Sequence, residues 1–227
     1  MKIDKQYSDF IQWDVLTWSK SIDFWEKFVA WEKINLCLEI GGREGGLSLW
    51  LALKDKKVIC SDLSDVKKIA EPLHLKNNVQ DLISYEDIDA TQIPYENHFD
   101  LIVFKSVVGG IARNQDIEIQ KKVFEQLWKA LKPGGVLLFA ENLTASPVHQ
   151  FFRKKMKWGS YWRYITIEET RQFCKKFSSV EFGVTGFSAA FGRSENQRRL
   201  LASFDHLLFN KITPKSWKYV IYGIAKK

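Results

Sequence analysis

The sequence predicts an α/β fold in which a mostly parallel, seven-stranded sheet is doubly wound, with helices on both faces and further helices capping it at the N-terminal side. Three observations carry that expectation. From residue 35 onward, short apolar runs alternate with helical periodicities, and strands that alternate with helices join by right-handed crossovers into parallel sheets covered on both faces. Four glycines crowd residues 41–46, between the first strand and the helix after it. A Pro133-Gly134-Gly135 turn then leads into the fifth strand.

Taken in order, Trp18, Ile22, Trp25 and Val29 recur at helical spacing, with Phe24, Phe28 and Trp31 beside them. Residues 18–32 are therefore expected as an amphipathic helix with a wide aromatic stripe, preceded by a shorter helical stretch. "NLCLEI" reads as a strand, 45–54 as a helix, "KVICSD" as a strand, 65–76 as a helix and "LISYEDI" as a strand. "FDLIVF" is a buried strand, 115–131 a helix and "GGVLLFAE" the next strand. The pattern loosens after Glu141. Thr166 then starts a helix, with Glu168 and Glu169 in its first turn and Lys175 and Lys176 in its last, matching the helix dipole. "SVEFGVTGF" and "WKYVIYGIAK" read as the last two strands, with a basic helical stretch at 193–210 between them.

A chain of 227 residues that is 45% apolar can bury one sizeable core. "MKIDKQYSDF" has no apolar signal region, and no apolar run approaches the roughly 18 residues of a membrane span, so a cytoplasmic chain is expected. Cys37, Cys60 and Cys174 are odd in number and widely spaced, which suggests neither a disulfide framework nor a metal site. The net charge of +7 is unevenly distributed: residues 1–150 carry 18 Lys and Arg against 22 Asp and Glu, whereas 151–227 carry 16 against 5. Such a split marks an anionic partner or a basic solvated face.

A glycine turn between strand and helix places backbone N–H groups at the carboxyl edge of the sheet, where open α/β folds bind ligands. The dinucleotide fingerprint G-x-G-x-x-G fails there, because counting from Gly41 puts Arg43 where bare backbone must approach a pyrophosphate. The phosphate-binding pattern G-x-x-x-x-G-K-[ST] has Gly41, Gly46 and Ser48 but Leu47 in place of its lysine. A phosphate-free cofactor remains. Further along, Asp62 ends the strand in "VICSDLSD", Asp89 and Ala90 stand in "DIDATQIPY", and "LWKALKPGGVLLFAEN" spans helix, turn and fifth strand.

In that order and spacing, residues 35–142 resemble the class I S-adenosylmethionine-dependent methyltransferases. The resemblance implies S-adenosylmethionine as cofactor. It matches Glu39, Gly41 and Gly45 to the family's first motif, with Arg43 a departure, and assigns Asp62 to the ribose hydroxyls. Asp89 and Ala90 would meet the adenine amino edge. Lys105, ending the fourth strand, would contact the cofactor's methionine end or an acidic substrate. One domain over 1–227 is expected: a helical cap (1–34), a cofactor-binding core (35–142), and a substrate-side segment with the last two strands (143–227).

For the acceptor, the segment after the fourth strand reads "FKSVVGGI". It lacks the [DN]-P-P-[YF] motif of amino-base methylators, the nucleophilic cysteine of cytosine C5 enzymes and the aspartates of metal-dependent catechol-type members, so no metal is expected. His149 is the candidate general base, since an imidazole suits proton transfer near neutrality; Glu141 and His206 are secondary candidates. "HQFFRKKMKWGSYWRY", 149–164, interleaves cations with aromatic rings that could stack on sugars or bases. The expectation is O-methylation of a small-molecule or glycan-like, anionic acceptor. The alternatives are RNA, a lipid-linked substrate reached by transient membrane-surface contact, or a non-catalytic cofactor-binding protein.

Overall fold

The computed structural model describes residues 5–112, 115–156 and 161–227. Seven strands form one sheet in the order β3-β2-β1-β4-β5-β7-β6. β1 (Leu36–Ile40), β2 (Lys57–Asp62), β3 (Ile83–Asp87), β4 (Phe99–Lys105) and β5 (Leu131–Asn142) pair in parallel. β7 (Val220–Lys226) runs antiparallel between β5 and β6 (Ser179–Thr185), which closes the sheet with a single reversed strand.

Side chains alternate between two cores, one per face, as a period of two requires. Cys37, Val58, Cys60, Val103 and Leu138 pack on one face with Trp18, Trp25 and Trp50. Leu38, Ile59, Ile102, Phe104 and Phe139 pack on the other with Phe124 and Leu127. The helices α3 (Gly46–Ala52), α4 (Val66–Lys76) and α6 (Ile117–Ala130) supply the crossovers. α6 starts at Asp116, whose carboxylate accepts from the N–H groups of Glu118 and Ile119.

The first helices are α1 (Lys5–Ile11) and α2 (Val15–Phe28). Trp18, Ile22 and Trp25 are fully buried, and the Trp25 indole donates to the Gly223 carbonyl on β7 at 3.0 Å. The predicted helix was longer: Val29 is extended, with ψ 131°, and Trp31 lies in a separate 3₁₀ turn, so Phe28 is left 45% exposed.

Two short helices are absent from the sequence reading. α5 (Val108–Ile111) follows β4, and α7 (Pro147–Lys154) occupies the segment whose pattern loosens. Ser146 at its N-cap and Pro147 at its first position are ordinary helix-start signals. α8 (Ile167–Phe173) begins as expected with a reciprocal Thr166–Glu169 capping box. It stops before Lys175 and Lys176, which lie beyond its last turn. α9 (Glu195–Phe204) continues through a π-helical turn (Asp205–Phe209) into a last helical turn (Asn210–Ile212). Among the described residues no helix is long and apolar enough to cross a membrane.

Candidate functional site

A cavity of about 1070 Å³ opens at the carboxyl ends of the parallel strands. The ends of β1, β2, β4 and β5 reach it through Glu39, Asp62, Lys105 and Asn142. This is where a doubly wound sheet holds ligands.

The glycine turn divides into separate jobs. Gly41 has φ 65°, and a Cβ there would lie 2.5 Å from Val107 Cγ2, so the first glycine allows a close approach of two loops. Glu39 is 3% exposed. Its carboxylate accepts from Leu47 N–H, Ser48 N–H and Ser48 Oγ, at 3.3, 2.8 and 2.5 Å, and so pins the start of α3. Burial raises its pKa to about 7, against the lowering effect of the Ser48 bonds. Arg43 adopts φ 50°, a left-handed conformation that glycine would take without strain, and its side chain lies on the cavity wall.

Gly45 departs from its expected role. It does not line the cavity: a Cβ on it would meet His74 Cε1 at 2.5 Å, and its carbonyl lies 2.8 Å from His74 Nε2. Gly45 is thus a packing and turn residue on the far side of the loop.

Asp62 and the pair Asp89 and Ala90 do line the cavity. Asp62 Oδ2 accepts from Arg43 N–H at 2.8 Å and Oδ1 from Leu63 N–H at 2.7 Å, which fixes the carboxylate at the tip of β2. Asp89 Oδ1 holds Thr91 N–H and Oγ1, both at 2.8 Å. Ile40, Leu63 and Ile88 form apolar walls between them. A carboxylate at a strand tip, apolar walls and a second acidic turn suit an adenosine group.

Lys105 projects into the same space over two indoles, its Nζ 4.5 Å from the Trp13 ring and 5.0 Å from Trp18. Burial lowers its pKa to about 8, against the raising effect of Glu39, Asp14 and Glu141.

The most unusual group in the cavity wall is Asp14. It occupies the N-cap position of α2 at φ 46° but makes no capping bond with its side chain. The carboxylate of Glu195, on α9, instead accepts from Asp14 N–H and Val15 N–H at 2.9 Å each. Asp14 Oδ2 accepts from the Tyr219 hydroxyl at 2.5 Å, while Oδ1 is buried without a hydrogen-bond partner. The residue is 2% exposed, and burial raises its pKa to about 7, opposed by the bonds from Tyr219 and Thr17.

His149, the expected base, lies on the cavity wall but does not suit that task. Its Nε2 meets the Phe187 carbonyl at 2.8 Å and its Nδ1 the Ser146 hydroxyl at 2.7 Å. The carbonyl can only accept, so Nε2 carries the proton and the Nδ1 lone pair is occupied by Ser146. Burial pushes the ring down to about 4. The sequence showed an imidazole after the fifth strand but not the two partners that consume it. Glu141 is likewise committed, accepting from Val107, Val108 and Asn142 N–H. His206 is exposed and lies outside this cavity.

The basic aromatic segment is split. Phe152, Arg153, Met156, Trp162 and Tyr164 line the cavity, whereas Phe151, Lys154, Lys155 and Tyr161 are exposed. The Arg153 guanidinium lies 3.8 Å from the Tyr164 ring centroid and donates to the Leu143 and Thr144 carbonyls. Arg163 turns away to pair with Glu169. Lys157 and Trp158 lie outside the described residues. Sequence reasoning missed Asp14, Arg198, Phe191 and Tyr219, which join the cavity from distant parts of the chain.

The fold is a Rossmann-like domain with a cavity at the carboxyl edge of its sheet. A methyltransferase domain family matches residues 38–139. The fold is shared with phosphoethanolamine N-methyltransferase 2 of Haemonchus contortus in complex with S-adenosyl-L-methionine (TM-score 0.64, 19% identity, covering 92% of this chain and 52% of that one). It is shared also with a candidate methyltransferase of Bacillus halodurans (0.65, 15%, 92% and 99%) and a candidate O-methyltransferase of Nostoc punctiforme (0.61, 12%, 92% and 56%). The chain spans about half the length of the Haemonchus protein. No curated protein matches the sequence. Residues 38–139 thus match a methyltransferase domain, on a fold shared with a structure that holds S-adenosyl-L-methionine.

Proposed function

We propose that this methyltransferase acts on a hydroxyl group of a small, anionic, glycan-like acceptor, and that Asp14 rather than His149 receives the hydroxyl proton. The observation that carries the reading is Asp14 Oδ1, a buried carboxylate oxygen with no partner in the wall of the cavity that also holds Asp62 and Asp89. In this reading one domain divides its labour: residues 1–34 cap the acceptor side, 35–142 hold the cofactor, and 143–227 supply the remaining walls. Glu39 holds the loop, Asp62 takes the ribose diol, and Asp89 with Ala90 takes the adenine edge. The bound cofactor supplies an electrophilic methyl group on a positively charged sulfur.

The chain's own residues then need only position the acceptor, exclude water and take one proton. Tyr219 fixes one oxygen of Asp14, leaving the other to accept from the acceptor O–H. Lys105, Arg153 and Arg198 make this side of the cavity cationic, which favours an anionic acceptor and disfavours an ammonium. The half-buried Trp162 and Tyr164 on the cavity wall favour an enclosed small molecule over an RNA strand.

The test is release of the demethylated cofactor from a panel of hydroxy acids, sugar phosphates and amines. Turnover is expected only with acceptors that carry both a hydroxyl and an anionic group. Asp14→Asn should lower it by roughly a hundredfold or more while cofactor affinity stays unchanged. Turnover confined to amines, or undiminished by Asp14→Asn, would overturn the assignment; salt-sensitive RNA binding would favour the RNA alternative.

A further inference from the structure

The helical run 195–212 carries a surface that the cavity does not use. Leu200, Phe204, Leu207, Leu208 and Ile212 are 60, 51, 66, 50 and 64% exposed. Their spacing puts them on one side of the rod, opposite the face on which Ala202 and Asp205 are buried and Arg198 reaches the cavity. Singly exposed apolar residues are ordinary, but an apolar stripe over four turns is not.

The charges around the stripe are one-sided. Arg193, Arg199, Lys211 and Lys215 are exposed, and none has an ion-pair partner among the described residues. The two acids of the run are both engaged by backbone N–H groups. Glu195 is held by the N–H groups of Asp14 and Val15, and Asp205 accepts from Phe187, Ser188 and Ala189 N–H and from Ser188 Oγ. The outer face therefore presents apolar side chains flanked by cations and no unpaired anion.

We infer that this face docks on an anionic phospholipid surface, with the helix lying in the plane of the interface. Hydrocarbon would receive the stripe and lipid phosphates the flanking cations, the two requirements of an interfacial amphipathic helix. A second copy of the chain fits less well, because apposing two such faces would bring like charges together. Arg198 and Leu200 lie on opposite sides of α9, so docking through the stripe would leave the cavity uncovered.

The experiment is co-sedimentation of the whole protein with vesicles of phosphatidylcholine alone or with added phosphatidylglycerol, at low and high salt. It needs neither acceptor nor turnover, so its outcome is independent of the proposed reaction. Partitioning is expected to rise at least tenfold with phosphatidylglycerol and to fall severalfold at high salt, as screening predicts. Leu207→Asp and Lys211→Glu should each reduce it by roughly tenfold, with an unchanged thermal shift on adding the demethylated cofactor showing that the fold is intact. Absence of binding to the anionic vesicles, or binding by both variants as strong as that of the parent protein, would overturn the inference. So would a concentration-dependent dimer abolished by Leu207→Asp, which would assign the face to a second copy.

Discussion

Replacing Asp14 with Asn tests the central claim without any knowledge of the acceptor. Burial lifts the Asp14 carboxyl from 3.8 to about 7. A folded-state value above the unfolded one means that the folded chain still holds a proton the unfolded chain has released. The contribution to stability is therefore complete below pH 3.8 and is lost as pH rises through 7. At about 1.4 kcal/mol per unit, the whole window amounts to on the order of 4 kcal/mol, of which about 2–3 kcal/mol falls between pH 5 and 8. Asn keeps the shape and an acceptor for Tyr219 but does not ionise. Relative to the parent protein, Asp14→Asn should gain about 2–3 kcal/mol between pH 5 and pH 8, or roughly 5–10 °C in Tm for a chain of this size. Glu39 is also raised to about 7, but it titrates in both proteins and cancels in the difference. Thermal unfolding followed by tryptophan fluorescence across this range is the assay. Parallel stability curves would show that Asp14 is not a buried proton acceptor, and its assignment as the base would fall with them.

Two further predictions concern the loop and the first helix. Asp62→Ala removes the carboxylate that fixes Arg43 and Leu63 N–H at the tip of β2, and calorimetric titration with the demethylated cofactor should show a loss of roughly 1.5–3 kcal/mol, about 10- to 100-fold in Kd; unchanged affinity would show that the ribose site is misplaced. Gly46→Ala sets a Cβ 2.3 Å from the Phe10 carbonyl oxygen. Backbone cannot move aside cheaply, so a net loss of about 1–3 kcal/mol on unfolding should appear, with weaker cofactor binding because Phe10 and Gln12 line the cavity; stabilisation by the better helix former would refute that packing.

The places of Asp62 and Asp89 on the cavity wall were legible because local signals determine them. Asp62 and Asp89 each follow a strand, and strand ends converge at one edge of a parallel sheet whatever the intervening helices contain. The cavity wall formed by Asp14, Arg198 and Tyr219 was not legible, because it is assembled from positions with no common local pattern. Asp14 stands at the N-cap of α2 without a capping bond from its side chain, because Glu195, 181 residues away, takes the N–H groups of Asp14 and Val15. His149 reads as a candidate base just past the fifth strand, and the Phe187 carbonyl from 38 residues away, with the Ser146 hydroxyl, makes it a doubly bonded ring. The four glycines show the same division. Gly41 answers to a loop contact, Gly45 to His74 and Gly46 to the backbone of α1, so three different tertiary contacts wrote one crowded motif. Arg43 could depart from the glycine spacing because its own left-handed backbone is tied to Asp62 through N–H. Asp62 thus also holds the residue that breaks the pattern, and Arg43→Gly should relax the turn, with affinity for the demethylated cofactor unchanged in calorimetric titration.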